Sequence, residues 1–164
     1  MKTLLKVVGV ILVCLFLLLV VARISGLEPT TSRPGLWLKG DLVTTPVADW
    51  SFTDQIQNVE IQTNSRYLLP HSVTIDCVSN KGQLYLFSFY AAGLTYPHGR
   101  RWNENVARDP HVRIKIADKL YDRTLVLATD PAEQEAVHEA TLKKYADLKL
   151  PPGGMIVLFH VLDN

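Results

Sequence analysis

The side chains best suited to chemistry lie between residues 66 and 105. Arg100 and Arg101 stand together where a short helix is predicted to begin. Paired guanidiniums there can hold an anion through their forked N–H groups and the free backbone N–H groups of the first turn. Exposed loop arginines can equally be simply solvated. Trp102 offers either a flat platform or a piece of core, and Asn105 either a ligand contact or a hydrogen bond that fixes a turn. Upstream, His71 follows Pro70 at a strand start and either joins the site or is an ordinary strand-end residue. Tyr90 and Tyr96 bracket a Gly/Pro-containing loop and could cover a flat ligand, whereas His98 in Tyr-Pro-His-Gly reads as a turn residue.

Other chemistry is excluded by what is missing. The sequence has no glycine-rich phosphate loop, no G-x-S-x-G elbow, no H-E-x-x-H and no Cys/His cluster of zinc spacing. Its five histidines are scattered at 71, 98, 111, 138 and 160. No metal site is expected, and no side chain is assigned as a catalytic acid, base or nucleophile.

The elements that must position these residues are short and β-rich. Candidate strands are GLWLKGDLV at 35–43, then 58–63, 71–78, 83–90, 112–116, 120–128 and 155–162. Each is rich in β-branched or aromatic residues and bounded by turn residues, such as Ser-Asn-Lys-Gly at 79–82. One clear helix follows Asp130-Pro131, with Asp130 as N-cap, Pro131 at N1 and Glu133 at the capping-box position; it ends before Pro151. A second, short helix is predicted over 101–107. Many short strands with one or two helices predict a closed or half-closed antiparallel barrel, with a mixed α+β sheet as the alternative.

The first 25 residues are different in kind. From Val7 to Ala22 the chain carries no charge and no polar stripe, with Lys2 and Lys6 before it and Arg23 after it. This reads as a membrane anchor (or uncleaved signal) or else as a signal peptide removed after export, with the lysines favouring an amino terminus inside and a domain outside the cytoplasm. Val20 and Ala22 could sit at −3 and −1 of a cleavage site, but no polar region precedes them. Residues 26–35 read as a linker, and 36–164 as one domain. After Gly26 the chain has 14 basic and 16 acidic residues, which leaves no basic footprint for nucleic acid, and the arginines and lysines at 108, 113, 115, 119 and 123 alternate with acids and read as a solvated strand face. Cys14 lies in the apolar run and Cys77 stands alone in the domain, so no disulfide forms within it.

The order strand, W-x-x-N-V-x-x-D-P-x-V, hairpin and D-P-x-E helix, read at Trp102, Asn105, Val106, Asp109, Pro110 and Val112 and then at 130–133, resembles the pyridoxamine-phosphate-oxidase-like split β-barrel flavoproteins. It is most similar to their deazaflavin-dependent nitroreductase and quinone reductase branch. The resemblance spans residues 66–146 and extends to the closing strand at 155–162. It implies a mainly β (α+β) fold: a six- to seven-stranded antiparallel split barrel with one or two helices, here preceded by a transmembrane helix. It also implies a homodimer and a groove for FMN or a deazaflavin. Carried over, Ser88, Tyr90, Arg100, Arg101, Trp102 and Asn105 would line the cofactor's loop and helix, with Arg66, His71, Ser72 and Thr74 on the phosphate side. The family's Gly-Arg-Lys-x-Gly segment is replaced by Arg66-Tyr67-Leu68-Leu69-Pro70-His71. Two functions follow: a membrane-anchored flavin- or deazaflavin-dependent oxidoreductase acting on a quinone or nitro compound, or a barrel that has lost its cofactor and binds haem, lipid or a protein partner.

Overall fold

A computed structural model describes residues 2–67, 69–148 and 152–163. Helix α1 (Lys2–Ser25) leads, followed by β1 (Asp41–Leu42), a 3-10 turn (Ser51–Gln55), β2 (Asn58–Thr63), β3 (His71–Asn80) and β4 (Gln83–Tyr90). Then come α2 (Arg101–Arg108), β5 (His111–Ile116), β6 (Lys119–Leu127), α3 (Pro131–Lys144) and β7 (Met155–Asp163).

The sheet runs β1-β6-β5-β2-β3-β4-β7 and closes through a β6–β7 pairing. Six antiparallel strands therefore form a complete barrel, with β1 added in parallel outside β6. Closure leaves neither β6 nor β7 as an open edge, so their backbone N–H and C=O groups are paired within the molecule.

Burial patterns explain which faces are covered. Along β2 and β5 buried residues alternate with partly exposed ones, as expected for strands with one face to the core and one toward water. Strand β4 is buried at nearly every position from Leu84 to Tyr90 because α3 lies over its outer face. Ile61, Cys77, Leu84, Leu86, Ile114 and Phe159 fill the barrel interior, together with Trp102 and Val106 from α2. A second cluster, including Val78, Tyr85, Phe87, Val137 and Leu158, lies between the barrel and α3.

Asp130 caps α3 as its sequence predicts, accepting from the N–H groups of Ala132 and Glu133, both at 3.3 Å. Glu133 turns instead toward the barrel, accepting a 2.8 Å bond from the Tyr85 hydroxyl and standing 3.5 Å from His160. At the other end of α3, Lys144 donates to the carbonyls of Thr53 and Cys77, both at 2.8 Å. The Tyr145 hydroxyl lies 2.5 Å from the Gln57 carbonyl and 2.7 Å from that of Cys77.

The stretch 35–43 departs from the expected strand. Only Asp41–Leu42 joins the barrel as a strand; Gly35 makes a single bridge to Ser72, and residues 36 and 37 pair back on Leu27 instead. Leu36 N–H donates to the Leu27 carbonyl at 2.6 Å, and Leu27 N–H to that of Trp37 at 3.1 Å. Residues 26–35, read in the sequence as a linker, turn tightly at Thr30 and Arg33 and bridge to β3 through Gly35 and Ser72. Glu28 accepts from Lys39 N–H at 2.9 Å and from the Lys115 ammonium at 2.5 Å.

Helix α1 is long and apolar enough to cross a membrane, and none of its side chains is buried. At a rise of about 1.5 Å per residue its length reaches ~36 Å, against a hydrocarbon core of ~30 Å.

Candidate functional site

The β2–β3 connection, the start of β3 and one face of α2 enclose a cavity of about 470 Å³. Arg101, Glu104, Asn105 and Arg108 all line it. They are spaced i, i+3, i+4 and i+7, a single stripe of the helix. The opposite stripe, with Trp102 and Val106, is buried in the barrel mouth, which fixes the rotation of α2 and so aims the polar stripe outward. Facing it are Arg66, Tyr67, Leu69, Pro70 and His71, with Leu36 completing the wall.

Hydrogen bonds hold the two sides together. Asn105 donates to the Thr63 hydroxyl at 2.9 Å, and that hydroxyl donates to the His71 carbonyl at 3.0 Å. Arg108 donates to the Asn64 carbonyl, and Asn64 donates to Asp109 at 2.8 Å. In the connection itself, the Ser65 hydroxyl accepts from Tyr67 N–H at 3.1 Å and also contacts the Leu69 carbonyl.

Charge in the cavity is predominantly positive. Three arginines line it against one carboxylate, Glu104, which is itself engaged by Gly99 N–H at 3.2 Å. Burial, and then the Arg101 charge, hold the His71 pKa below its ordinary value, so the imidazole is neutral near pH 7. His71 Nδ1 is buried without a hydrogen-bond partner among the described residues. Such a donor set, cationic forks beside a neutral imidazole and an aromatic and aliphatic wall, fits an anionic organic ligand. The volume lies in the range of ~300–1,000 Å³ typical of small-molecule sites.

The residues singled out in the sequence divide into groups. Arg66, His71, Arg101 and Asn105 meet in the cavity. Ser88 and Tyr90 lie beneath α2, where Asn103 donates to the Ser88 hydroxyl at 2.9 Å and to the Tyr90 hydroxyl at 2.7 Å. All three are buried, and burial pushes the Tyr90 phenol pKa up. Arg100 sits above them, donating to the Phe89 carbonyl at 2.7 Å with its guanidinium 5.8 Å from the Tyr90 ring centroid. Trp102 packs into the core, 5.3 Å from Phe159. Ser72 is buried beside Gly35, and Thr74 sits opposite Glu60 on β3, outside the cavity lining.

Sequence reasoning placed Arg108 on a solvated face and passed over Glu104, Asn103 and Thr63. The i, i+3, i+4, i+7 spacing of charged and amide residues from Arg101 was the signal that could have found the first two. Asn103 and Thr63 had none, because each acts through a partner far away in sequence.

No family model and no curated protein matches the sequence. Solved structures do match its fold. The conserved hypothetical protein Rv2991 from Mycobacterium tuberculosis superposes with a TM-score of 0.51 at 13% identity, over 78% of this chain and 86% of that one. An F420-H2 dependent reductase (FDR-A) gives 0.44 at 18% identity, over 65% and 94%. HutZ, a haem storage protein from Vibrio cholerae, gives 0.46 at 12% identity, over 69% and 85%. With its closed six-stranded barrel, one added strand and the helix α2 set in the barrel mouth, this chain has the split β-barrel fold that the pattern over 66–146 resembles.

Proposed function

We propose that the protein is a membrane-anchored oxidoreductase that holds FMN or a deazaflavin by its phosphate in the α2 cavity and reduces a small acceptor such as a quinone or nitro compound. The observation that carries this reading is the stripe of Arg101, Asn105 and Arg108 facing Arg66 and His71 across a cavity of ligand size. The arginines would meet phosphate oxygens by charge-assisted bonds, and Asn105, already fixed by Thr63, would orient the remainder. Neutral His71 can donate or accept a hydrogen bond without adding charge. The cofactor, when bound, supplies the hydride or electron chemistry; the protein orients it and excludes water. Helix α1 serves as the anchor, with the domain outside the cytoplasm, and the barrel works as a homodimer.

The test is a titration of the purified full chain in detergent with FMN and with a deazaflavin, followed by absorbance and fluorescence. Saturable binding that is lost in Arg101→Ala plus Arg108→Ala supports the proposal. A colourless protein that binds neither would sink it. For topology, alkaline phosphatase fused after Asn164 is expected to be active.

One observation favours a second reading, a non-catalytic haem-binding module. A neutral histidine lining the cavity beside three arginines could ligate iron while the arginines met propionates. A Soret band on adding haemin, shifted in His71→Gln, would select this reading over the first.

A further inference from the structure

The segment that leaves the membrane helix is part of the cavity. Leu36, a wall residue, is hydrogen-bonded to Leu27, and Leu27 is only two residues past Ser25, the last residue of α1. Connectivity alone then bounds a distance. Two residues of extended chain span at most about 7 Å, and paired backbones lie ~5 Å apart. The cavity wall is therefore within roughly 12 Å of the end of α1. A bilayer's headgroup layer is ~5–8 Å thick on each side, and α1 is long enough for its end to lie within that layer. A free linker would leave the barrel's position open, but this segment is pinned by Gly35 to Ser72, by Glu28 to Lys115 and by Leu38 N–H to the Gln62 side chain at 2.9 Å.

The surface held at that depth has the composition of a membrane interface. Tyr67 is 82% exposed, and Leu69, Arg66, Arg101 and Arg108 around it are exposed as well. An aromatic and an aliphatic side chain ringed by arginines suit the boundary between headgroups and acyl chains, where anionic phosphates attract the guanidiniums.

We infer that the docked 26–38 segment holds the barrel against the bilayer, so that Tyr67, Leu69 and the arginines at the cavity rim rest in a layer of anionic phospholipid headgroups and the cavity opens at the membrane surface. This rests on reading α1 as a membrane anchor. A lipid-soluble acceptor then reaches the cavity from the interface. Anionic lipid strengthens the contact.

The full chain is placed in nanodiscs of phosphatidylcholine, with and without phosphatidylglycerol, containing a lipid with a headgroup-level spin label. In a Cys14→Ser background a fluorophore is attached through Tyr67→Cys or, as a control, Lys81→Cys. Lys81 lies beyond the far end of β3, about 30 Å away along the strand. Quenching at 67 is expected to exceed that at 81 several-fold, to rise with phosphatidylglycerol, and to lose that rise in Arg66→Gln plus Arg108→Gln. Equal quenching at the two positions, in protein that resists alkaline extraction, overturns the docking and leaves the anchor intact. Extraction by the alkaline wash overturns both. Neither outcome bears on cofactor binding, which the detergent titration reads separately.

Discussion

Gly35 and Ser72 exchange both of their backbone hydrogen bonds, Gly35 N–H to the Ser72 carbonyl at 2.8 Å and Ser72 N–H to the Gly35 carbonyl at 3.0 Å. This pair ties the segment after the helix to the strand that begins at His71, one residue from the cavity. A Cβ at position 35 would overlap the Leu27 carbonyl oxygen and press on the backbone of Glu28 and Pro29. The three nearest atoms are all backbone, so no flexible side chain can yield there.

Gly35→Val is therefore expected to detach the segment and lower stability by ~2–3 kcal/mol, about the worth of two hydrogen bonds plus steric strain. Urea unfolding of the detergent-solubilised chain measures it. An unchanged midpoint would show that the segment contributes nothing to the fold.

The amide of Asn103 satisfies two buried hydroxyls, those of Ser88 and Tyr90, at 2.9 and 2.7 Å. Asn103→Ala removes the amide that both buried hydroxyls bond and is expected to destabilise the protein by ~2–4 kcal/mol. Tyr90→Phe removes only one bond and should be milder, at ~1 kcal/mol. If the two variants unfold at the same denaturant concentration, the amide does not link the two hydroxyls.

His71 predicts a pH dependence. Burial, and next the Arg101 charge, put its folded pKa below the ordinary value of 6.5. Between the folded and unfolded values the unfolded chain binds more protons, so stability rises with pH in that window. His71's contribution is thus full above pH 6.5 and is lost as pH falls through the folded value. Comparing denaturation midpoints from neutral pH into the acid range should show a slope that His71→Gln reduces. An identical slope in the variant would assign it to other groups.

Cys77 is fully buried, and burial pushes its thiol pKa up against the nearby Lys144 charge. A thiol reagent should modify it only as fast as the protein opens. Lys144→Met removes the bonds to the Thr53 and Cys77 carbonyls, loosens the end of α3 and should speed labelling at least ~5-fold, the equivalent of one lost hydrogen bond of ~1 kcal/mol. Mass spectrometry of the Cys77 peptide over time gives both rates, and equal rates would remove Lys144 from the clamp.

Much of the barrel was legible before any coordinates. Strands expected at 58–63 and 83–90 occupy Asn58–Thr63 and Gln83–Tyr90, and the helix expected at 101–107 occupies Arg101–Arg108. Alternation, turn residues such as Lys81-Gly82 and the Asp130-Pro131 start are local properties, carried by neighbours in the chain. The apolar run of α1 was equally plain, because it needs no partner to be recognised.

What depended on distant partners was not legible. Leu36 and Leu38 alternate as a strand would, yet residues 36 and 37 pair with Leu27 and Leu38 N–H bonds a glutamine side chain. Arg108 read as one charge among several on a solvated strand face; it is exposed, but it lies on α2, whose rotation, set by burying Trp102 and Val106, brings it to the cavity rim. The element types follow from the order of residues, since backbone preference and periodicity act over a few positions. Closure of β6 on β7, the docking of 26–38 and the meeting of Arg66 with Arg101 were decided only in three dimensions, where register and packing select one among many pairings that the same local pattern allows.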